Sequence, residues 1–405
     1  MPPVWEGRPR THTRTTTTTG GIRMIQAAGH NQAGLHEDGI ALVHDYLLVL
    51  RGAERTFAAM ADVWPGAPIY TLLYDQEATG ESFGRHPVVT SPLQRVGARQ
   101  GGFRRLLPLL PLAAQRLPLE DAKLVVSSSS AFAHGVRPAA DAVHVCYCHS
   151  PFRYAWHERR RALEEAPTPL RPAVDGLLRA IRHWDRQASE HVTHYIANSK
   201  ITRQRIRDFW GRDASVVHPP VAVDRFHRER PEDFFLFVGE VVRHKRLDLA
   251  LRAARKARVP MKVVGTGPDL DRLEAEYGDS ADFVGRVGDG KLESLYARAR
   301  ALVVPNIEEF GITAVEAQAA GRPVVAAAAG GALETVVDGE TGVHFPPGDV
   351  DALAEIMRYS DFESFESDRI VSRAQRFSVR RFQKRIRQAV RQVTGRAGPR
   401  LAAAA

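Results

Sequence analysis

The feature that most constrains the fold is an alternation of short apolar segments with segments of helical spacing, repeated along most of the chain. The first series starts at the apolar strand Ile40–Val43, contains Val143–Cys148 as a buried strand and reaches the short strand Tyr195–Ala197. The second series starts at Phe234–Val238 and continues to Gly342–Phe345. Strands that alternate with helices in this way predict parallel, doubly wound sheets, so the expected fold class is α/β.

Prolines separate the two series. Pro219-Pro220 and Pro231 interrupt the pattern, and no sequence repeat relates one series to the other. A chain of 405 residues is long enough for two or three domains of roughly 100–200 residues. We therefore predict two Rossmann-like domains with a short linker. The predicted bounds are 39–222 for the N-terminal domain, 223–375 for the C-terminal domain and 376–395 for a basic final helix, between a tail over 1–38 and a frayed end over 396–405.

The amino-terminal tail and the apolar runs bear on the cellular compartment. Thr11–Gly21 is nearly all threonine and the tail lacks apolar periodicity, which predicts disorder and leaves Met24 as an alternative start. The tail also lacks the apolar core of a secretory signal, and no run reaches the ~20 apolar residues of a membrane span. The prediction is a cytoplasmic protein.

The net charge does not select one class of binding partner, and the cysteine content excludes a structural zinc site. The formal net charge is +9, and of the 56 basic residues 7 are lysine. This balance is compatible with nucleic acid, an anionic membrane or an anionic substrate. No nucleic-acid recognition motif is present and the basic residues are scattered, so no nucleic-acid partner is expected. Cys146 and Cys148 are too few for a structural zinc site and are expected to be buried thiols.

Two carboxylates follow the predicted strand Ala301–Val304. Glu308 lies in the loop after the strand, and Glu316 lies about one turn inside the next helix. Taken alone, such a pair is ordinarily a helix-dipole partner and a solvated helix residue. The alternative is a site that brackets a ligand bearing hydroxyls, next to an anion site at the start of the helix. The backbone N–H groups of that anion site belong to Gly311, Ile312 and Thr313.

The residues around the two acids favour the second interpretation. Glu308-x7-Glu316 encloses Phe310-Gly311 and continues as Glu-Ala-x-Ala-x-Gly-x-Pro-Val-Val, a pattern that resembles the retaining family 4 glycosyltransferases of GT-B fold. Gly330–Gly342 resembles the closing signature of the same family. The resemblance implies two Rossmann-like domains facing a central cleft, with the donor on the second and the acceptor on the first. It also implies that Glu316 holds the ribose hydroxyls, that Glu308 faces the transferred sugar as a catalytic residue, and that the segment from Phe310 to Thr313 contacts the donor.

The segment Phe235–Asp248 resembles the diphosphate-binding segment of the family. Lys245 matches the lysine that offsets the charge of the pyrophosphate. The family's usual arginine after the glycine is absent, because Glu240 stands there. We expect Glu240 to point away from the diphosphate and Arg243 or Arg246 to supply the second positive charge.

A nucleotide-binding oxidoreductase is the rival enzyme class. Gly265-Thr-Gly267 follows a strand, but the third glycine of the dinucleotide fingerprint is missing. In the glycosyltransferase family the same segment is a turn near the nucleotide. By resemblance, Arg286 and Val287 line the base pocket.

Two segments of the first half carry the remaining site predictions. Arg51-Gly52-Ala53-Glu54 resembles the family's Gly-Gly-x-Glu loop beneath the donor phosphate, with Ala53 in place of a glycine, so Gly52 is expected at the donor. A lone histidine at the end of a strand is usually structural, but His149 resembles the family's cleft histidine and is expected at the reaction centre. The run from Cys148 to Trp156 resembles mannosyltransferases of surface-polysaccharide assembly. The expected acceptor contacts are Asp45, Tyr46, Arg153, Tyr154 and Trp156.

Together these resemblances predict a retaining hexosyltransferase that uses a GDP- or UDP-linked sugar, with GDP-mannose favoured, and a glycan or lipid-linked acceptor. No metal site and no cofactor besides the donor are predicted, and a front-face mechanism is the working hypothesis. The alternative is a non-catalytic glycosyltransferase-like protein that binds nucleotide or a partner enzyme, which Glu240 and Ala53 would suit. Arg99–Leu119 joins arginines to a proline-broken apolar run. Contact with an anionic membrane at the inner face of the cell and simple core packing are equal alternatives for this segment.

Overall fold

The computed structural model describes residues 39–96 and 106–396. The predictions for the tail over 1–38, for Met24, for 99–105 and for 397–405 concern residues outside these ranges. The described residues form two parallel sheets joined in sequence by helices. The predicted doubly wound α/β fold is therefore confirmed.

The first sheet has seven strands in the described residues. Its strands are β1 (Ile40–His44), β2 (Ile69–Thr71), β3 (Val88–Thr90), β4 (Leu124–Ser129), β5 (Val143–Cys148), β6 (His194–Ala197) and β7 (Ala214–Val216). Their spatial order is β3-β2-β1-β4-β5-β6-β7. The accompanying helices are α1 (Gly52–Ala61), α2 (Gln76–Thr79), α3 (Leu110–Gln115), α4 (Arg159–Glu165), α5 (Arg171–Ser189) and α6 (Lys200–Trp210).

The second sheet has six strands, again within the described residues. They are β8 (Phe235–Val238), β9 (Met261–Val264), β10 (Asp282–Gly285), β11 (Ala301–Val304), β12 (Val324–Ala327) and β13 (Gly342–Phe345), in the order β10-β9-β8-β11-β12-β13. The helices of this half are α7 (Leu247–Ala257), α8 (Leu270–Tyr277), α9 (Asp289–Arg298), α10 (Ile312–Ala319), α11 (Ala332–Thr335), α12 (Val350–Tyr359) and α13 (Ser367–Ala374). The final helix is α14 (Val379–Arg396).

Both sheets change winding direction at a central pair of strands. In the first sheet this pair is β1 and β4, and in the second it is β8 and β11. Ligands of doubly wound sheets bind beyond the carboxyl ends of the strands at such a switch point. The loops after β8 and β11 carry Lys245 and Glu308, and the loop after β1 leads to Gly52. The topology therefore directs the predicted site residues to the edges where ligands bind.

Helix α14 packs against the first sheet although it follows the second in sequence. Phe382, Ile386 and Val390 belong to the same buried cluster as residues of β1, β4 and β5. The ring of Phe382 lies edge-on to Tyr147, with 5.7 Å between centroids. The amide of Gln383 also donates to the carbonyl of Ala59 on α1, at 3.1 Å. An amphipathic basic helix thus covers one face of the amino-terminal half.

The described part of Arg99–Leu119 has both buried and exposed apolar residues, so it bears on the two alternatives of core packing and membrane contact. Leu110, Ala114 and Leu117 pack in the core of the first half. Leu109 and Leu112 are 48% and 44% exposed. Among the described residues, no helix combines the length and the apolar character needed to cross a membrane.

Candidate active site

The carboxyl ends of β8 and β11 bring two predicted residues into contact. Lys245 ends a single 3₁₀ turn, Arg243–Lys245, that follows β8, and Glu308 lies in the loop after β11. The Lys245 ammonium donates to Oε1 of Glu308, and the Asn306 amide donates to the same oxygen at 3.2 Å. The two charged side chains are 27% and 17% exposed. They therefore form a partly buried ion pair at the switch point of the second sheet.

Two glycines hold the Glu308 loop against the loop after β12. Gly330 has a φ of +62°, and a Cβ there would lie 2.4 Å from the Glu308 carbonyl oxygen. The Gly331 N–H donates to that oxygen at 2.8 Å, and a Cβ on Gly331 would lie 2.3 Å from Cα of Phe310. The glycines of the closing signature therefore allow the close backbone approach that positions Glu308.

Glu316 lies on α10, half-buried, one turn after the helix begins. The hydroxyl of Tyr296 on α9 donates to its Oε2 at 2.8 Å. Burial raises the pKa of the Glu316 carboxyl, while the Tyr296 hydrogen bond and the positive charges of Arg55 and Arg225 act in the opposite direction. Arg55 belongs to α1 of the first half, so both halves contribute charge around Glu316. Tyr296 and Arg55 are not predicted from the sequence, because neither occurs in a pattern that marks a ligand site.

Helix α10 begins at the cleft, and its first residues differ in accessibility. Gly311, with a φ of +87°, precedes Ile312, and Thr313 is half-buried. Cδ1 of Ile312 lies 3.2 Å from the position of a Cβ on Gly52, so the start of α10 touches the start of α1. The Phe310 ring, in contrast, is buried and packs on His218 and Phe377, with centroids 5.6 and 5.3 Å away. The expectation that the Phe310 side chain contacts a donor is corrected, because the ring is part of the core.

His149 directly follows β5, in the first half of the molecule. Its Nε2 lies 2.9 Å from Oγ of Ser128, and its backbone N–H donates to the Ser129 carbonyl at 2.8 Å. Burial, and then the neighbouring His44, lower the pKa of His149 to about 3. The imidazole is therefore neutral near pH 7 and serves as a hydrogen-bonding group and not as a cation.

Asp45 was expected to contact the acceptor, but it is 1% exposed and both of its carboxylate oxygens accept backbone hydrogen bonds. One oxygen accepts the backbone N–H groups of Phe132 and Ala133 at 2.7 and 2.6 Å. The other accepts those of Ser130 and Ala131 at 2.6 and 3.1 Å. Asp45 is therefore a positioning residue that holds the loop after β4, and the acceptor contact assigned to it is withdrawn.

Three other residues expected at the acceptor lie close together, whereas Trp156 is held by contacts within the first half. Tyr46, Arg153 and Tyr154 are half-buried. Burial raises the pKa of the Tyr46 hydroxyl; Asp45, Glu54 and Tyr154 reinforce this effect, and Arg153 opposes it. The indole of Trp156 donates to buried Asp185 at 2.6 Å and stacks on Phe209, with 4.7 Å between centroids. Trp156 is thus held by the fold of the first half.

The three basic residues after β8 differ in their partners. Lys245 pairs with Glu308, and Arg246, at a φ of +52°, donates to Asp248 at 3.2 Å. Arg243 is exposed and forms no ion pair with a described residue. Of the three basic residues, Arg243 is the one with no charged partner among the described residues. On the loop after β10, Arg286 is exposed and Val287 is half-buried, and no hydrogen bond or ion pair within the described ranges joins them to the other site residues.

Glu309 and Glu334 link the two halves, a role that sequence analysis did not predict. Glu309 accepts a hydrogen bond from Arg205 on α6 at 2.8 Å and lies 3.8 Å from Nε2 of His157. Burial opposes its ionisation, but His157, Arg153 and Arg205 together lower the pKa of the Glu309 carboxyl. Glu334 accepts the backbone N–H of Lys200 at 2.7 Å. The residues that flank the predicted site therefore also stabilise the contact between the halves.

Two Rossmann-like halves with acidic and basic residues at their facing switch points define the GT-B class. Residues 50–225 match the family model described as Glycosyltransferase Family 4, and residues 223–374 match that of Glycosyl transferases group 1. The chain belongs to this glycosyltransferase family.

Curated relatives are named D-inositol 3-phosphate glycosyltransferases. That of Streptomyces avermitilis is 32% identical over 52% of this chain and 52% of the relative. D-inositol 3-phosphate glycosyltransferase 2 of Catenulispora acidiphila is 35% identical over 47% of this chain and 51% of the relative. The chain spans about half the length of the curated relatives it matches.

Solved structures share the fold. Anabaena Alr3699/HepE in complex with UDP superposes with a TM-score of 0.63 at 17% identity, covering 87% of this chain and 99% of that one. The sucrose-phosphate synthase of Thermosynechococcus elongatus gives a TM-score of 0.67 at 18% identity, covering 88% and 99%. These similarities establish the GT-B fold.

Proposed function

We propose that this protein is a retaining glycosyltransferase that moves a hexose from a nucleoside-diphosphate sugar to an acceptor bound by its first half. The observation that carries the proposal is the Lys245–Glu308 pair beside the amino end of α10, with Glu316 one turn further along that helix. This arrangement combines a cation for a phosphate, N–H groups for an anion and two carboxylates for hydroxyl groups. Family membership of the chain supports the same function.

On the donor side, the Lys245 ammonium and the N–H groups that open α10 offset the charge of the diphosphate. Glu316 accepts hydrogen bonds from the vicinal hydroxyls of the ribose, and Glu308 accepts one from the transferred sugar. Arg243 is a second cation for the diphosphate. Gly52 lies against the start of α10, so the amino end of α1 adjoins the same phosphates.

On the acceptor side, His149 presents a neutral imidazole at the end of β5. Tyr46, Arg153 and Tyr154 surround the approach to it and offer hydroxyl groups, an aromatic face and a positive charge. The negative charge of Glu309, on the second half, acts on His149 as well, which supports a reaction centre shared by both halves. Residues of the two halves thus bracket one transferred sugar.

We infer a front-face transfer. The bond from the anomeric carbon to the phosphate oxygen breaks while the acceptor oxygen bonds to the same face of that carbon. The acceptor proton passes to the leaving phosphate oxygen, so no enzyme nucleophile is needed and the configuration is retained. Lys245, an arginine and the N–H groups of α10 stabilise the charge that develops on the leaving diphosphate.

For the substrates, mannose from GDP-mannose is the favoured donor sugar, based on the resemblance of the His149 segment. The favoured acceptor is a glycan or a lipid-linked saccharide of cell-envelope polysaccharide assembly, which would place a cytoplasmic enzyme at the inner face of the membrane. The names of the curated relatives add D-inositol 3-phosphate to the acceptors that require a test.

The test is thermal unfolding with GDP, UDP, ADP, their sugar conjugates and NAD(P), all in EDTA, followed by turnover assays with the donor that binds. A ligand at ~100 times its Kd adds about 2.7 kcal/mol, a shift of roughly 2–4 °C for a chain of this size. A shift with one nucleoside diphosphate and its sugar, together with release of that diphosphate in the presence of an acceptor, supports the proposal. Binding of NAD(P) without any sugar nucleotide contradicts it, and nucleotide binding without turnover on any acceptor favours the non-catalytic alternative.

A further inference from the structure

Glu240 occupies an unusual place in the cleft. It follows Gly239 in the loop after β8, and its carboxylate extends to the first half, where Oε2 lies 3.4 Å from Nη1 of Arg51. The Arg51 and Glu240 side chains are 65% and 48% exposed. The sequence predicted that this carboxylate points away from a diphosphate; in the structure it pairs with an arginine of the opposite half.

Arg51 has a fixed backbone and an accessible side chain. It precedes Gly52 at the start of α1, and its N–H donates to the side chain of buried Glu54 at 3.0 Å. Gly52 in turn lies against Ile312 at the start of α10. The Arg51 guanidinium therefore contacts the loop that carries Lys245, and the residue that follows Arg51 adjoins the start of α10.

The basic residues of the loop after β8 leave part of the charge of a diphosphate without a cation, which Arg51 can supply. Lys245 is paired with Glu308, and Arg246 is paired with Asp248. The Glu308 carboxylate offsets part of the Lys245 charge, so two adjacent phosphate groups require more positive charge than Lys245 and Arg243 supply together. A guanidinium binds a phosphate through two parallel hydrogen bonds, and a diphosphate offers it stronger acceptors than one exposed carboxylate.

We propose that Arg51 binds the donor diphosphate from the first half and supplies the positive charge that the second half lacks at position 240. Glu240 holds the guanidinium toward the cleft until a diphosphate replaces the carboxylate. Because Lys245 and Arg51 lie on opposite halves, a diphosphate between them ties the halves together. This inference rests on the proposed function, since it assumes a nucleoside-diphosphate donor.

The test is isothermal titration of UDP and GDP into the full chain and into Arg51→Ala, Glu240→Gln and the double variant Arg51→Ala/Glu240→Arg. The nucleotide that binds the native protein is used throughout. We expect Arg51→Ala to weaken its binding by roughly tenfold or more, and the double variant to recover most of the loss, because it returns an arginine to the same place. Arg272→Ala, which removes an arginine paired with Glu276 on the surface of α8, serves as the matched control and should bind like the native protein.

The rival explanation is an ion pair that only joins the halves. It predicts that Arg51→Ala and Glu240→Gln weaken binding equally and that the double variant, which cannot form the pair, recovers nothing. That outcome overturns the inference, as does native affinity in Arg51→Ala. Native or tighter binding by Glu240→Gln supports it, because a competing carboxylate has been removed. If the native protein binds neither nucleotide, the proposed function fails first, and the inference fails with it.

Discussion

At the scale of single residues, the Lys245–Glu308 pair is the most specific feature of the site. The two residues lie 63 positions apart in sequence and meet only because β8 and β11 are neighbours. Each side chain offsets the charge of the other. A donor that inserts between them would gain a cation for its diphosphate and a carboxylate for its sugar.

We expect Glu308→Gln and Lys245→Ala each to lower kcat/KM by at least ~10²-fold, about 2.7 kcal/mol of transition-state stabilisation. The glutamine keeps the shape but loses the charge that strengthens the hydrogen bond to the sugar, and the alanine removes the cation that faces the leaving group. The measurement is steady-state kinetics with the donor identified by the binding panel. Lys256→Ala, which breaks a surface pair with Asp351, is the control and should retain full turnover. Turnover within about threefold of native in either site variant would refute the role of that residue.

Glu316 calls for a different readout, because its proposed partner is the ribose. Replacing it by alanine should weaken binding of the nucleoside diphosphate by roughly tenfold or more, since two charge-assisted hydrogen bonds are lost. Titration calorimetry measures this change directly. Glu274→Ala, an exposed carboxylate on α8, is the matched control. An unchanged nucleotide affinity in Glu316→Ala would remove the ribose assignment.

At the scale of secondary-structure elements, strands of four or more residues were predicted from the sequence, whereas three strands of three residues were not. The bounds predicted for Val143–Cys148 and Gly342–Phe345 are those of β5 and β13. Strands β2, β3 and β7 have three residues each, too few to show a period, and sequence analysis did not find them. These strands are defined by pairing with a longer neighbour, which is a tertiary interaction.

The loops that carry the site depend on close contact between elements. We expect Gly330→Ala to destabilise the protein by about 1–3 kcal/mol and to lower activity, because the added Cβ would displace the Glu308 loop. Urea unfolding and the donor assay provide the two measurements. Gly339→Ala is the matched control: its φ is +74°, but a Cβ there meets no atom within 4 Å. If both substitutions have equal effects on activity, backbone strain alone explains the loss, and the contact with the Glu308 loop does not contribute.

At the scale of the whole molecule, buried histidines couple stability to pH. Burial lowers the pKa of His44, His144 and His149 to about 3 and that of His134 to about 4. Their unfolded pKa is near 6.5, so between pH 6.5 and 4 the unfolded chain binds protons that the folded protein does not. Stability therefore falls as the pH drops through this window. Burial raises the pKa of Asp185 to about 7 and also raises the pKa of Glu54 and of Glu316, so these three carboxyls act in the opposite sense.

We accordingly expect the free energy of unfolding to decrease from pH 7 to pH 5.5, because the four buried histidines, which favour the unfolded chain at lower pH, outnumber the three carboxyls that favour the folded protein. Each net proton taken up on unfolding contributes about 1.4 kcal/mol per pH unit. Urea unfolding at the two pH values, at constant ionic strength, measures the difference. A free energy of unfolding that is equal or larger at pH 5.5 would contradict the expectation.

The sequence by itself determined the α/β class, the order of the longer elements and the residue types at the strand ends, because apolar periodicity and motif spacing are local properties. It also predicted Lys245, Glu308, Glu316 and His149 as site residues, and these roles remain predictions. Only the tertiary structure decided how these side chains are paired. It removed the Phe310 ring and Asp45 from the ligand contacts, since burial and backbone hydrogen bonds depend on neighbours distant in sequence. It likewise placed Arg51, Arg55 and Tyr296 near these residues. The first two reach them through contact between the two halves, and Tyr296 does so through the hydrogen bond between α9 and α10.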